Sequence, residues 1–333
     1  MILGHDRQRE VLWRALRTGR LHHAWLFEGT RGVGKSLVAE TLAMAANCER
    51  VTPGTGEPCG ECPTCSAIRR GIHPDVTWVR PDEDRAARSI PVERVREVVR
   101  QLGYHRFSAR ARFVLVDPAE AMAEGSANAL LKTLEEPPAG TWFVLVTHNA
   151  AALLPTIRSR CQRLRFGAVP VELVERWLVD VHQRPADVAS GAARASGGAP
   201  GEALTLDAAA LATRRARRDE ICRALESGGD AIGELAGRLT QGARQDWAPH
   251  VDRFLDTLEE LVRDAVLLAN GRQVDDAEAA VVALSRTWPD GPARCAAALQ
   301  DVRDDLVVFV SGKTALDAVL ARIREEVHAG RRG

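Results

Sequence analysis

The sequence predicts an α/β domain built on a parallel sheet, followed by a small helical domain and then an all-α domain. Three observations carry this. First, Ala24-Trp25-Leu26-Phe27, Phe113 to Val116 and Trp142 to Val146 are short, continuously apolar runs. A strand covered by helices on both faces loses its polar alternation, so such runs read as buried parallel strands. Second, helical patterns lie between them: Val92 to Leu102 follows Pro91, and Ser126 to Glu135 is stopped by Pro137-Pro138. That alternation places helices on both faces of the sheet. Third, the strand signal ends near Phe166. Residues 168–204 read as small helices closing in the turn-rich Gly197-Gly198-Ala199-Pro200-Gly201, and the remainder is helical and rich in Ala, Leu, Arg and Glu. The expected domains are 1–167, 168–204 and 205–333, with the last residues, 330–333, frayed.

Composition narrows the function classes. Hydrophobic residues make up 45% of the 333, enough to bury cores without disulfides. The 45 basic residues are matched by 45 acidic ones, so a general polyanion binder is disfavoured and any DNA contact is local or shared. No apolar run approaches the ~18 residues that span a membrane. The start, MILGHDRQRE, lacks the apolar core of a signal peptide. The expectation is a cytoplasmic protein without membrane contact, whose seven cysteines are metal ligands or free thiols.

Gly29-Thr30-Arg31-Gly32-Val33-Gly34-Lys35-Ser36 fits G-x-x-x-x-G-K-[ST] between an expected strand and an expected helix. Glycines let the backbone curl so that N–H groups face phosphate, and the helix N-terminus adds partial positive charge. Lys35 is expected to reach the β- and γ-phosphates of ATP or ADP, and Ser36 to help hold Mg²⁺. Asp117, ending the second apolar run, suits the acid that completes a metal site. The next residue is Pro118, which offers no base for the attacking water; Glu120 would serve only if the turn bends it back. Nucleotide binding is therefore better supported than hydrolysis.

Cys48, Cys59, Cys62 and Cys65 form two overlapping C-x-x-C steps and one upstream thiol. Four soft ligands in one short insertion, residues 48–65, suit tetrahedral Zn²⁺, and four thiolates leave no open position, so the expected role is structural. A redox reading does not account for four cysteines, and the compartment disfavours disulfides. Cys222 and Cys295 stand alone in helical patterns and read as small buried side chains.

Several segments together resemble the bacterial clamp-loader ATPase family, an AAA+ family. They are His22-His23-Ala24-Trp25-Leu26-Phe27, the phosphate loop, the cysteine cluster, His73-Pro74-Asp75, Asn128-Ala129-Leu130-Leu131-Lys132-Thr133-Leu134-Glu135-Glu136-Pro137-Pro138 and Ser159-Arg160-Cys161. The resemblance is strong over 1–167, moderate over 168–204 and weak beyond. It implies an AAA+ P-loop domain, a helical lid and a helical collar that joins five subunits in a ring. It implies that Arg160 is a finger acting on ATP held by a neighbouring subunit, and that Thr147 is the sensor residue at the end of its strand. A guanidinium suits that task, being always charged and able to fork onto phosphate oxygens. The implied partners are the tau/gamma motor and delta subunits, a sliding clamp and primed DNA.

Within the family, three features resemble the delta-prime branch of DNA polymerase III clamp loaders: Pro118 in place of a glutamate, Gly201 where motor subunits carry an arginine, and the end of the chain at residue 333. The intact phosphate loop points the other way, toward the ATP-hydrolysing motor. A zinc-containing switch NTPase outside replication is the third reading. The basic run Arg214-Arg215-Ala216-Arg217-Arg218 reads as a solvated helix face in preference to a DNA contact. Amphipathic helices are expected from Asp252 to Leu268 and from Asp301 to Val327, with Trp247 and Trp288 as packing residues.

Overall fold

The computed structural model describes residues 2–52, 55–81, 89–103, 110–227, 229–272, 274, 277–307 and 311–332. The chain divides into two compact units, Met1–Asp207 and Ala208–Gly333. The first contains α1 (Asp6–Arg17), β1 (Ala24–Glu28), α2 (Lys35–Asn47), α3 (Pro63–Arg69), β2 (Val76–Val79), α4 (Val92–Leu102), β3 (Arg112–Val116), α5 (Glu124–Glu135), β4 (Thr141–Thr147), α6 (Pro155–Arg158) and β5 (Gln162–Arg165). The short helices α7 (Val171–Asp180), α8 (Ala186–Ala195) and α9 (Pro200–Ala203) complete this unit.

Among the described residues the sheet has five strands in the order β2-β3-β4-β1-β5, and all four pairings are parallel. The three apolar runs form its centre: β1, β3 and β4 are almost wholly buried. The outer strands were not legible as apolar runs. Strand β2 is the short Val-Thr-Trp-Val, and β5 is Gln-Arg-Leu-Arg with mostly exposed residues. A polar edge is what keeps an open sheet from pairing with another. On one face, Val95, Val98 and Leu102 of α4 and Leu130 and Leu134 of α5 pack with Val114, Val116, Phe143 and Leu145. These helix positions recur every three or four residues, the stripe that one face of a helix buries.

Two polar contacts tie the sheet to its surroundings. Buried Asn47 at the end of α2 donates from Nδ2 to Ala111 O (2.9 Å) and accepts at Oδ1 from Ala111 N (2.9 Å). Buried Asp75 accepts from the Arg112 guanidinium, linking the start of β2 to β3. Beyond the sheet, Arg184 donates to the Ala203, Leu204 and Leu206 carbonyls and so satisfies the C-terminal end of α9.

The second unit is helical: α10 (Ala208–Glu226), α11 (Gly229–Leu239), α12 (Arg244–Ala269), α13 (Ala279–Ser285), α14 (Asp290–Val307) and α15 (Gly312–Arg332). Its core joins Phe254, Leu255, Leu258, Leu299, Leu316, Leu320 and Ile323, and buries Cys222 and Cys295. Three expectations need correction here. The helix expected from Asp301 to Val327 is two helices, α14 ending at Val307 and α15 starting at Gly312, with 308–310 outside the described residues. Gly312 lies so close to Trp247 that a Cβ would be 2.6 Å from the indole ring, so only glycine fits the start of α15. The basic run is a solvated face only in part: Arg215 is exposed, but the run's two ends are not free. Arg214 pairs with Glu260, and Arg218 pairs with Asp264 and Glu278. Trp247 packs against the core as expected, but Trp288, in the turn after α13, is 44% exposed.

Candidate nucleotide site, metal cluster and arginine

The phosphate loop leaves the C-terminal end of β1, in the middle of the sheet, and opens α2 with Lys35 as its first residue. Gly32 (φ +75°) and Gly34 (φ +110°) hold backbone conformations that side chains disfavour. Ser36 Oγ donates to Asp117 Oδ2 at 2.7 Å, so the two groups expected to share a metal meet just beyond β1 and β3. Lys35 is buried, and its Nζ donates to the carbonyls of Gly29 and Thr30, both at 2.7 Å. Burial pulls its ammonium down to about 8, and the Asp117 and Glu120 carboxylates only partly oppose this. Thr30 and Arg31 are exposed at the tip, and Val33 is buried beneath it. Thr147 ends β4 as expected and is 1% exposed; its Oγ1 accepts from Asn149 N at 3.0 Å.

Glu120 turns toward the C-terminal end of β4. It lies in the 3-10 turn Ala119–Ala121 beyond β3, accepts from His148 N at 3.0 Å and pairs with the His148 ring. Burial pushes its carboxyl up, but the His148 hydrogen bonds outweigh this and hold it at about 2. Its Oε2 is enclosed and has no hydrogen-bond partner among the described residues. The Glu120 carboxylate is thus held against His148, and toward Lys35 it acts only through its charge, favouring the ammonium.

Two residues support the loop from outside it, and of these only His5 carried no signal in the sequence. His5 donates from Nε2 to Val33 O at 2.8 Å and packs edge-on against Phe166, 5.1 Å between ring centres. Gly201 donates its N–H to Gly32 O at 2.8 Å. A Cβ on Gly201 would lie 2.9 Å from that oxygen, so no side chain fits where motor subunits are expected to carry arginine.

The four cysteines converge. Cys48 follows α2, Cys62 caps α3, and the Sγ atoms of Cys48, Cys59, Cys62 and Cys65 all lie within 4.8 Å of one another. Cys48 Sγ is 3.6 Å from Cys59 Sγ and 4.0 Å from Cys62 Sγ. A tetrahedral zinc with bonds of ~2.3 Å requires sulfur–sulfur edges of about 3.8 Å. Backbone N–H groups of Arg50 and Cys59 donate to Cys48 Sγ, that of Cys62 to Cys59 Sγ and that of Cys65 to Cys62 Sγ, at 3.3 to 3.4 Å. Such donors stabilise thiolates and orient metal ligands. The donor set and its spacing are compatible with a structural metal.

Arg160 lies between α6 and β5, at the other end of the sheet from the phosphate loop. Strand β5 runs parallel to β1 with Gln162 opposite Trp25 and Arg165 opposite Glu28. From the level of Gln162 to Gly29 is four residues, roughly 13 Å at the rise of a strand, and Arg160 precedes Gln162. Its guanidinium donates from Nη1 to Thr156 O at 2.7 Å and pairs through Nη2 with Glu135. It does not join Lys35, Ser36 and Asp117 in their site.

A phosphate loop opening a helix from an interior parallel strand, with its serine joined to the acid just beyond β3, two strands away, defines a P-loop domain of the AAA+ class. The chain belongs to the family described as DNA polymerase III, delta subunit, whose pattern matches residues 4–170. The delta-prime subunit of Escherichia coli DNA polymerase III is 36% identical over 59% of this chain and 58% of its own length. That of Pseudomonas aeruginosa is 37% identical over 62% and 63%, and the tau subunit of E. coli is 38% identical over 53% and 26%. The chain thus spans less than two thirds of the length of these relatives. A solved DNA polymerase III gamma-subunit-related protein from Thermotoga maritima is 19% identical over 96% of this chain and 99% of its own, with a TM-score of 0.39. Among the described residues no helix is long and apolar enough to cross a membrane.

Proposed function

We propose that this chain works in the cytoplasm as the delta-prime subunit of a DNA polymerase III clamp loader. It occupies one place in a five-subunit ring with tau/gamma motor subunits and delta, and the ring opens a sliding clamp and loads it on primed DNA. Its contribution to catalysis is Arg160, presented to ATP bound by the adjacent motor subunit, where a guanidinium neutralises charge that builds on the phosphoryl oxygens. One observation carries this reading: Arg160 stands at the opposite end of the sheet from this chain's own phosphate loop, too far to serve it. The helices over 168–204 act as the lid and those over 205–333 as the collar, and Zn²⁺ holds the 48–65 insertion through Cys48, Cys59, Cys62 and Cys65.

In this reading the chain's own site holds ATP or ADP with Mg²⁺ through Gly29 to Ser36 and Asp117, with Thr147 at its rim, and turns over little. The backbone contact of Gly201 with Gly32 supports this, because no arginine can reach the phosphates from that position. Glu120 favours a second reading, in which the chain is itself a motor, since its ionised carboxylate acts electrostatically on Lys35 and keeps one oxygen without a hydrogen-bond partner among the described residues. Hydrolysis by the pure protein with primed DNA and clamp separates them. The delta-prime reading expects no robust turnover; robust turnover lost in Lys35→Ala would contradict it. Mass spectrometry of co-purifying partners should return motor and delta subunits.

A further inference from the structure

Helix α5 ends in Glu135-Glu136, two exposed carboxylates at a helix C-terminus. The partial negative charge of the last carbonyls disfavours acids there and favours cations. A second contact fixes where this helix end lies: His23, just before β1, donates from Nε2 to Leu134 O at 2.9 Å. The end of α5 therefore sits at the N-terminal edge of the sheet, the same edge as Arg160. Glu135 faces Arg160 across 25 residues of sequence and pairs with Nη2, while Thr156 O takes Nη1 at 2.7 Å. Two fixed acceptors on one guanidinium restrict its rotation. A planar guanidinium has five N–H donors, so three remain for a phosphate. Both side chains are partly exposed, 33% for Arg160 and 48% for Glu135. An exposed pair of this kind is weak enough to share its arginine with a stronger anion.

We propose that Glu135 is a positioning residue for the finger, a role that rests on the finger reading of Arg160 given above. It holds the guanidinium extended along the subunit edge before the neighbour's nucleotide arrives, so that less side-chain freedom is lost when Arg160 meets phosphate. The charge of Glu135 also offsets that of Arg160 in the free subunit and gives it up to the phosphate on assembly. Glu136, one residue on, carries the same charge and serves as the internal control.

The test uses the complete clamp-loader complex with primed DNA and clamp, the motor sites other than the one facing Arg160 being silenced, and reads kcat and KM for ATP at that site. Arg160→Ala should lower kcat by about a thousandfold or more. Glu135→Ala should lower kcat about two- to fivefold, the size of a weak surface pair, with KM unchanged. Glu135→Gln, which keeps a carbonyl acceptor, should recover part of the loss, and Glu136→Gln should change nothing. In an Arg160→Ala background Glu135→Ala should have no further effect. Thermal melting of each variant should match the parent. A rise in kcat for Glu135→Ala, or no change while Arg160→Ala is impaired, would overturn the positioning role and leave the finger intact. An equal loss in both backgrounds would make Glu135 merely structural and overturn it too. If Arg160→Ala hydrolyses normally, the finger reading itself falls, and this inference with it.

Discussion

Replacing Cys62 by serine isolates the contribution of the cysteine cluster. Cys62 is 1% exposed, caps α3 and accepts from Cys65 N at 3.4 Å. Serine is among the best N-cap residues, so the helix keeps its cap while the cluster loses a ligand. Helix α3 has seven residues, well under the ~12–15 that an isolated helix needs to persist in water. Its order therefore depends on the cluster and on packing against α2. Structural zinc sites supply on the order of 10 kcal/mol, comparable with the whole stability of a typical domain at ~5–15 kcal/mol. The central strands pack without the cluster, so the loss should be local. The backbone N–H groups of Arg50, Cys59, Cys62 and Cys65 donate to cluster sulfurs and report on it directly. At ~1.4 kcal/mol per factor of ten, a local loss of only ~3 kcal/mol raises their hydrogen exchange about a hundredfold. The parent should carry one zinc per chain and Cys62→Ser much less. Amides of β1, β3 and β4 should exchange as before. Unchanged exchange at the four amides in zinc-stripped parent protein would refute the reasoning, as would collapse of the whole sheet.

Three further outcomes follow from the charges. Lys35 carries its proton below about 8, so ATP affinity measured by calorimetry should weaken as pH rises through 8, with proton uptake on binding above it. Affinity that is flat from pH 7 to 9 would contradict this. Glu120 sits at about 2 against an ordinary value near 4.5. Its stabilising contribution is present above 4.5 and lost as pH falls toward 2, so Glu120→Gln should flatten the acid limb of stability measured by denaturant unfolding. In the second unit, Arg218→Met removes the partly buried cation that Asp264 and Glu278 share; a loss of about 3 kcal/mol is expected from urea unfolding.

Much of the site was readable before the fold, because its chemistry is local. The phosphate loop occupies eight consecutive positions, and the cysteines lie within one short insertion, so spacing alone brings Lys35 to Ser36 and gathers four thiols. The central strands were readable because burial on both faces makes them continuously apolar. What escaped was set by distance along the chain. Nothing in the spacing brings Gly201 to Gly32, Glu135 to Arg160, or Glu260 to Arg214; only the assembled sheet and the packed helices do so. The basic run looked solvated because its acids arrive from α12 and from Glu278, far downstream. Strand β5 was hidden by its own role, since an edge strand carries the polar residues that the apolar template rejects. Glu120 was legible as a residue and not as a position, because the turn that carries it reveals its direction only in three dimensions.

The central claim is that this chain's guanidinium, and not its own phosphate loop, drives turnover of a nucleotide held next door. Single-turnover hydrolysis in the assembled complex tests it most directly, comparing Arg160→Ala with Lys35→Ala introduced into this subunit alone. The account expects Arg160→Ala to abolish turnover at one neighbouring site while Lys35→Ala leaves it near the parental rate. Normal turnover with Arg160→Ala, or loss with Lys35→Ala, would contradict it.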